Sequence, residues 1–532
     1  MRVLIFHGYL LRGTGSNVYN ASVAQALRRL GHDVHLLCQD RDSARLPWVD
    51  AVGSWGSRGL EVAPTRGGRP EGGADGSVTA YVPDIGGLLP VFVRDAYAGF
   101  EVKTFAELTD AELDRYLAAN VAAVRDVVGH AGGVDATLAN HLVMGPVITV
   151  RAGLRCALKV HGSDLSYTVL PEPERFRPYA EEAVAGANGV LVGSTHIAER
   201  LRAAVGAAAD PKLRLGPPGV DTALFVPIDR AAAPERLREL AARLRAEGEG
   251  EWGRDPSRAA DAVDAFAGAD PRVVFVGKLI VSKGVDLLIA AWPLVEARHR
   301  GAGLLVAGFG GYEAGLRALI GALGAGDLAA AREVAARGRG LEGGEERPLA
   351  ILSRFLADPP PGYAEAARGA AGSIALAGRI EHDEVAALVP AADALVFPST
   401  FPEAFGMVAA EAAAAGVLPV SAAHSGALEV SRALAAELPP EAASLVSFAV
   451  TDGAVEAIAR SLDAWLCLDE APRRAAREAL SGTAARLWSW DGVARSALAA
   501  AAGDLAELPM VERQDAGGSG GAGGRIPYIP RP

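Results

Sequence analysis

The sequence predicts an α/β protein with two doubly wound halves, in which parallel strands alternate with helices. In the first half, an apolar run at 2–6 precedes a Gly-containing loop at 7–16. A helical pattern follows and ends at Gly31, and a second apolar run covers 34–38. This strand–loop–helix–strand unit predicts parallel strands joined by a right-handed crossover.

The same alternation begins again at Arg272. An apolar run at 273–277 is followed by a helical pattern at 284–298 and a further run at 304–308. The sequence therefore predicts a second sheet of the same kind. Other strands are expected at 136–138, 157–160, 190–192, 374–377, 394–397 and 418–420, whereas 53–87, rich in Gly, Pro and Arg, is expected to be an extended surface loop.

Composition and charge limit the function. Half of the 532 residues are hydrophobic and 22% are charged, which is ordinary globular composition and excludes wholesale disorder. The net charge of −12 argues against non-specific binding to nucleic acid or to anionic lipid over the whole surface. We therefore expect no nucleic-acid partner, although peripheral membrane contact through the two atypical segments at 228–271 and 326–369 stays open.

The cysteines and the apolar runs bear on the compartment. Cys38, Cys156 and Cys467 are far apart and form no CxxC pair, so neither a structural zinc site nor a disulfide framework is expected. The run at 2–6 is too short for a signal peptide, and no apolar run reaches the length of about 18 residues that spans a membrane. A reduced, cytoplasmic location fits these features.

The loop after the first strand has the character of an anion site. Gly13 and Gly15 stand just before the first helix, where backbone N–H groups and the helix dipole favour a diphosphate. Asp40 follows the second strand, where a dinucleotide-binding fold places its ribose acid, so an NAD-linked oxidoreductase is a fair alternative. Two features weaken it: Val18 replaces the third glycine, and the glycines begin seven residues beyond the strand. Asp40 with Asp42 could also be taken as a metal-binding pair, but a plain strand-end acid is the commoner role.

The strongest candidate site follows the strand at 394–397. Glu403 lies on a loop, and Glu411 lies one turn into a helix expected from Met407 to Ala415. Gly406 leaves the backbone N–H groups at the helix start open to a ligand. Two carboxylates and these donors can hold a polyol, because a carboxylate accepts two charge-assisted hydrogen bonds from a vicinal diol. The alternative is a first-turn glutamate favoured by the helix dipole and a solvated loop glutamate.

With these residues in place, the sequence resembles the retaining GT-B nucleotide-sugar glycosyltransferases of the family 4 type, whose hallmark is a Glu-x7-Glu motif matched by Glu403 and Glu411. The resemblance covers about 1–227 and 272–500. Further matching segments carry it: Gly277-Lys278 with Lys283-Gly284, Gly378-Arg379-Ile380, Gly219-Val220-Asp221, and His161-Gly162 after a strand. Lys278 departs from the family, which usually has Arg at this position. The positive charge is kept, but the two parallel hydrogen bonds that a guanidinium donates to a phosphate are lost.

The resemblance implies a fold of two Rossmann-like domains facing a cleft, with helical insertions. It implies an N-terminal acceptor domain and a C-terminal nucleotide-sugar domain joined by a helical, polar connection. The expected boundaries are 1–227 for the acceptor domain, 228–271 for the connection, 272–480 for the nucleotide-sugar domain with an inserted arm at about 326–369, 481–510 for a final helix returning to the first domain, and 511–532 for a disordered tail.

The resemblance also implies residue roles. The catalytic residues would be His161, Glu403 and Lys283. The substrate-binding residues would be Gly15 and Lys278 with Lys283 at the phosphates, Arg379 and Ile380 at the base, Glu403 with the N–H groups of Phe405, Gly406 and Met407 at the sugar, and Glu411 at the ribose. No metal and no cofactor are expected.

The implied reaction is transfer of a hexose from a nucleotide-diphosphate sugar to a hydroxyl acceptor, with retention at the anomeric carbon. The acceptor could be a saccharide, a lipid-linked sugar or a small molecule. Lysines and a helix N-terminus can stabilise the departing diphosphate without metal. The alternatives are the NAD-linked oxidoreductase and a non-catalytic homologue that binds a sugar or a partner.

Overall fold

The computed structural model describes residues 1–13, 15–65, 76–93, 97, 99–247 and 254–511. The chain forms two compact units. The first comprises residues 1–219 together with 488–513, and the second begins at residue 220 and runs to 487. The tail expected at 511–532 lies outside the described residues beyond Val511.

The first unit contains a sheet of nine described strands in the order β11-β10-β9-β8-β1-β2-β5-β3-β4. Neighbours run parallel except β3 and β4, which form an antiparallel hairpin at the edge. A separate parallel pair joins β6 and β7. The strands are β1 Arg2–Phe6, β2 Asp33–Leu37, β3 Ala51–Gly56, β4 Gly59–Pro64, β5 Val78–Val82, β6 Leu88–Val91, β7 Glu101–Thr104, β8 Ala136–Asn140, β9 Cys156–Val160, β10 Ala187–Val192 and β11 Leu213–Leu215.

Burial on both faces explains the continuous apolar runs of the central strands. Val3, Leu4 and Ile5 of β1 have no exposed surface, because crossover helices cover both sides of a parallel sheet. The strands expected near 136, 157 and 190 are confirmed as β8, β9 and β10. The helices are α1 Gly15–Arg29, α2 Asp110–His130, α3 Gly145–Arg151, α4 Pro173–Gly186 and α5 Thr195–Val205.

The prediction of a surface loop at 53–87 is wrong for most of the described residues in that range, because β3, β4 and β5 occupy them. Gly53 shows why composition misled the prediction. A Cβ at Gly53 would lie 2.4 Å from a ring carbon of Tyr81 on the adjacent strand, so this glycine makes room for an aromatic side chain. Residues 66–75 lie outside the described part of the chain.

The second unit contains a six-stranded sheet in the order β14-β13-β12-β15-β16-β17, and all of its strands are parallel. The strands predicted in this half are confirmed. Their bounds are β12 Arg272–Val276, β13 Gly303–Ala307, β14 Ile374–Gly378, β15 Ala394–Phe397 and β16 Leu418–Ala422, and the short edge strand β17 Ser447–Phe448 was not predicted.

The second unit also contains thirteen described α-helices. They are α6 Ala233–Ala246, α7 Pro256–Ala267, α8 Val285–Glu296, α9 Glu313–Ala325, α10 Leu328–Arg337, α11 Ala350–Ala357, α12 Tyr363–Ala370, α13 His382–Leu388, α14 Met407–Ala414, α15 Ser425–Ala435, α16 Pro440–Ala443, α17 Ala454–Leu466 and α18 Glu470–Trp488. No helix in the described ranges is both long enough and apolar enough to cross a bilayer.

The two atypical segments are built into the second unit. Arg258 of α7 donates from Nε to the carbonyl of Leu376 on β14 at 2.9 Å, so the segment 228–271 is tied to the sheet. The buried Tyr363 hydroxyl of α12 donates to the Ala290 carbonyl on α8 at 2.7 Å. Both segments therefore form part of the helical layers around this sheet.

The last helix, α19 Trp490–Ala502, belongs to the first unit and packs against α1 and β10. Trp490 lies against Gly219, where a Cβ would come within 2.6 Å of the indole. The ring of Tyr19 meets the same indole edge-on at 5.7 Å between centroids. This packing fixes the end of the described chain onto the first sheet.

Candidate functional site

The strand order of the second sheet reverses between β12 and β15. The chain leaves β12 towards β13 and β14 on one side, and then returns to place β15 and β16 on the other. Ligands of open α/β sheets bind outside the carboxyl ends of the strands at such a reversal, because the crossovers diverge there and leave a crevice. The loops that follow β12 and β15 carry the lysines and the first glutamate of the predicted site.

Lys283 and Glu403 form an ion pair at this reversal. Lys283 Nζ lies 2.5 Å from Glu403 Oε1, and the two side chains keep 24% and 19% of their surface exposed. The Ser399 hydroxyl donates to the same Oε1 at 2.6 Å. Both contacts fall on Oε1, and within the described ranges no hydrogen bond or ion pair reaches the second carboxylate oxygen, which therefore stays available to a ligand. A fixed cation therefore stands beside a fixed hydrogen-bond acceptor.

A hydrogen-bond relay from the next strand holds the Glu403 backbone. The Glu403 N–H donates to Ser425 Oγ at 2.8 Å, and the Ser425 hydroxyl donates to His424 Nδ1 at 3.0 Å. His424 in turn donates from Nε2 to the Ser399 carbonyl at 2.8 Å. Ser425 adopts a left-handed φ of 50°, which is unusual outside glycine. Sequence analysis missed His424 and Ser425; their signal was a polar dipeptide one residue beyond β16.

Glycines allow the loops to approach closely. A Cβ at Gly426 would lie 2.6 Å from the Ala404 backbone, and one at Gly284 would lie 2.1 Å from the Pro398 carbonyl oxygen. Gly406, with φ of 120°, precedes α14, and no side chain caps that helix start. Phe405, Gly406 and Met407 therefore lie where the positive end of the helix dipole points out of the sheet.

Glu411 lies within α14 and is 6% exposed. Burial penalises the charged carboxylate and raises the pKa of Glu411 from its ordinary value of 4.5 to about 8. The nearest cationic candidate is His382, whose Nε2 lies 3.9 Å from Glu411 Oε1. Burial lowers the pKa of His382 in turn, so both groups are mainly neutral at pH 7.

Arg379 and Ile380 follow β14, on the β12 side of the reversal. Arg379 pairs with Glu381 at 2.9 Å, and its guanidinium lies 5.6 Å from the centroid of the Phe309 ring. Lys278 is exposed just after β12. The structure thus places Lys278, Lys283, Arg379, Ile380 and Glu403 in loops after strands of one sheet, Phe405, Gly406 and Met407 at the start of α14, and Glu411 one turn into that helix.

Gly15 and His161 belong to the first unit. Gly15 begins α1, and His161 directly follows β9. His161 donates from Nε2 to Asn140 Oδ1 at 2.9 Å, and burial lowers its pKa well below the ordinary value. The network continues through Asn20, which receives from Asn140 at 2.6 Å and donates to His7 Nδ1 at 3.0 Å. His161 is therefore a neutral, positioned ring.

Asp40, the ribose acid of the dehydrogenase alternative, is already engaged by the backbone. It is 3% exposed, and its two oxygens accept backbone N–H groups from Leu11 at 3.2 Å and Asp42 at 3.0 Å. Arg12 lies 3.6 Å away. Asp40 thus orders the loop after β1.

Two other features lie outside these residues. Among the described residues, His299, Asp463 and Cys467 form the one set with metal-ligand atoms within 4.8 Å of one another, at the ends of α8 and α17. Because α8 begins at the carboxyl edge of its sheet, its end lies at the opposite edge. In the first unit, a cavity of 220 Å³ is lined by Gln39, Arg41, Trp55, Asp84, Phe100 and their neighbours.

Comparison with known proteins gives a family match over part of the chain. Residues 364–481 match the family described as glycosyl transferases group 1, a range that contains Arg379, Glu403 and Glu411. A GDP-mannose-dependent alpha-(1-6)-phosphatidylinositol monomannoside mannosyltransferase of Mycobacterium tuberculosis is 29% identical over 177 residues. That match spans 33% of this chain and 38% of the relative's length.

Solved structures match nearly the whole chain. Sucrose-phosphate synthase from Thermosynechococcus elongatus has a TM-score of 0.53 at 17% identity, covering 93% of this chain and 96% of that one. HepE from Anabaena, in complex with UDP and glucose, has a TM-score of 0.51 at 16% identity, covering 93% and 98%. These likenesses confirm the predicted fold class, the GT-B fold of two Rossmann-like domains.

Proposed function

We propose that this chain is a glycosyltransferase that moves a hexose from a nucleotide-diphosphate sugar to a hydroxyl acceptor, with retention at the anomeric carbon. The observation that carries the proposal is the Lys283–Glu403 pair at the strand-order reversal. A nucleotide sugar presents an anionic diphosphate directly beside a polyol. Within one site, the cation can pair with the diphosphate, and the carboxylate can accept hydrogen bonds from the hydroxyl groups of the polyol.

In this proposal Glu403 holds hydroxyl groups of the donor sugar with the carboxylate oxygen that Lys283 and Ser399 leave open. Lys283 and Lys278 lie against the diphosphate. The start of α14 adds N–H donors near Gly406, where negative charge is stabilised. As the bond to the sugar breaks, charge grows on the departing diphosphate, and these fixed groups stabilise it without reorganisation.

Glu411 suits the ribose in this proposal because its carboxyl group is mainly neutral at pH 7. A protonated carboxyl offers one O–H donor and one carbonyl acceptor, which pair with a vicinal diol. Its raised pKa of about 8 places the protonated form at neutral pH. Arg379 and Ile380, at the end of β14, line the base.

Retention and independence from metal are parts of the proposal that need their own tests. In the mechanism that the family resemblance implies, the departing phosphate takes the proton of the acceptor hydroxyl, and no protein nucleophile is required. His161, neutral and held by Asn140, orients the transferred sugar. Turnover that persists after chelation with EDTA, and an NMR assignment of the product anomer, test these two points.

The donor and acceptor probes follow from the relatives. GDP-mannose is the donor named for the mycobacterial mannosyltransferase, and UDP with glucose was bound to HepE. The acceptor is proposed to contact the first unit, where aromatic and polar groups line the 220 Å³ cavity.

The direct test measures nucleotide released from GDP-mannose and UDP-glucose. Wild-type protein is compared with Lys283→Ala and Glu403→Ala. The control is Glu437→Ala, which removes half of an exposed ion pair with Arg486. The proposal is supported if both site variants lose nucleotide release while the control variant releases nucleotide at the wild-type rate. Near-normal rates in both site variants contradict the site.

Each alternative function is distinguished by a measurement of its own. An absorbance change of the nicotinamide on adding NAD and candidate alcohols would favour an oxidoreductase. Donor binding without turnover over a range of acceptors would favour a non-catalytic binding protein. The engagement of Asp40 by backbone N–H groups weakens the first of these.

A further inference from the structure

The strand order of the first sheet also reverses, between β1 and β8. The loops that follow these two strands therefore meet at the carboxyl edge, where crevices form in open α/β sheets. His7 and Tyr9 follow β1, and His141 follows β8. Sequence analysis did not single out His141.

His141 combines two unfavourable features. It is 3% exposed, and neither ring nitrogen has a hydrogen-bond partner within the described part of the chain. Its backbone has a left-handed φ of 66°, held by a hydrogen bond from its N–H to the Lys159 carbonyl at 2.8 Å. Buried polar groups are almost always paired, and left-handed backbone at a non-glycine residue is strained.

The neighbours of His141 make the contrast sharper. Its ring centroid lies 4.4 Å from that of Phe92, 4.7 Å from His161 and 5.6 Å from Tyr9. His161 and His7, the other two histidines here, both have hydrogen-bond partners. Three histidines thus gather at one strand-order reversal, and the fold leaves only His141 unsatisfied among them.

We propose that His141 binds a hydroxyl group of a sugar substrate, which supplies the hydrogen bond that the ring lacks. This inference rests on the proposed function. A neutral imidazole has one N–H donor and one nitrogen acceptor, and a hydroxyl group has the same pair of capacities. Phe92 covers one side of the ring, so binding requires that side chain to turn aside.

The neutral state of the ring favours a hydroxyl over a phosphate. Burial lowers the pKa of His141 well below its ordinary value, and the nearby His7 acts in the same direction. A phosphate would instead be matched by a charged ring. The hydroxyl can come from the donor sugar or from the acceptor, and the experiment separates these two sources.

The test uses the full chain with three substitutions. His141→Phe keeps a flat ring and removes both nitrogens, whereas His141→Asn keeps a donor and an acceptor and tolerates left-handed backbone. The control is His130→Asn, at the exposed end of α2. Thermal unfolding without ligand, calorimetric binding of methyl α-D-mannoside, and turnover of GDP-mannose and UDP-glucose are measured for each.

His141→Phe removes an unpaired polar group, which favours the folded state, but it places a bulky side chain at a left-handed φ, which opposes it, so we expect its melting temperature to change little. Its sugar binding and turnover should fall about tenfold or more, with His141→Asn between it and the wild type. A fall in both hydrolysis and transfer assigns the hydroxyl to the donor. A fall in transfer to methyl α-D-mannoside alone assigns it to the acceptor.

Two results would overturn the inference. Unchanged binding and turnover in His141→Phe would show that the ring meets no substrate, and equal losses in His141→Phe and His141→Asn would show that the hydrogen-bonding capacity of residue 141 does not account for them. Failure of the proposed function is distinguishable, because then the wild type itself releases no nucleotide from either donor. Binding of methyl α-D-mannoside by the wild type and the variants still decides the role of His141 in that case.

Discussion

Lys283 Nζ lies 2.5 Å from Glu403 Oε1, although 120 residues separate them in the chain. If the pair acts as one unit on the donor, Lys283→Ala and Glu403→Ala should each lower kcat/KM about 100-fold or more. The double variant should lose much less than the product of the two single losses, because each substitution already disables the pair. Steady-state kinetics of the four proteins measures this coupling, and fully multiplicative losses would show that the residues act separately.

The relay through Ser425 predicts a loss of rate that can be separated from backbone strain. Ser425→Ala and Ser425→Gly both remove the hydroxyl that receives the Glu403 N–H, so both should slow turnover, by about tenfold if one hydrogen bond of about 1.5 kcal/mol is lost. Only glycine suits the φ of 50° without strain. The glycine variant should therefore unfold at a higher denaturant concentration than the alanine variant. Equal turnover in both variants and the wild type would exclude a role for the relay.

Glu411 predicts a dependence of stability on pH. Its pKa is raised to about 8 in the folded chain and returns to about 4.5 on unfolding. Between these values the folded state holds a proton that the unfolded state has released, so the free energy of unfolding falls as pH rises. The contribution is about 1.4 kcal/mol per pH unit in that window, and it is constant below and above it.

Glu411→Gln removes this titration, so the stabilities of the variant and the wild type can be compared directly at each pH. Urea unfolding at several pH values should show the variant gaining stability relative to the wild type between about pH 4.5 and pH 8. A constant difference between the two proteins across that range would mean that Glu411 is ionised in the folded state.

Gly53 predicts a packing defect in the first unit. A Cβ there would meet the ring of Tyr81 at 2.4 Å, and the Tyr81 hydroxyl is paired with His35 Nδ1 at 2.8 Å, which resists displacement. Gly53→Ala should therefore destabilise the chain by about 1–3 kcal/mol. Gly321→Ala is the matched control, because Gly321 lies within α9 with nothing near its Cβ position. That control should stabilise by about 0.5–1 kcal/mol, and similar effects at both positions would contradict the packing argument.

The residues at the carboxyl edge of the second sheet could be identified from sequence because local order places them there. Lys278 directly follows a buried strand, and Glu403 lies between such a strand and a helix, so the alternation alone brings them to one edge. The same reasoning failed at Gly53. A glycine required by an aromatic ring on a neighbouring strand is indistinguishable, in a single sequence, from a glycine in a loop.

By itself, the sequence determined the two parallel sheets, the strands that compose their centres, the loops that carry Lys283 and Glu403, and the helix that carries Glu411. These features arise from hydrophobic periodicity and from the points along the chain where that periodicity is interrupted. The tertiary structure alone decided that Lys283 and Glu403 pair, that Ser425 supports the Glu403 backbone, and that the ring nitrogens of His141 have no hydrogen-bond partner among the residues that the structure describes. Each of these depends on which strands lie side by side, and strand order is set by packing between segments far apart in the chain.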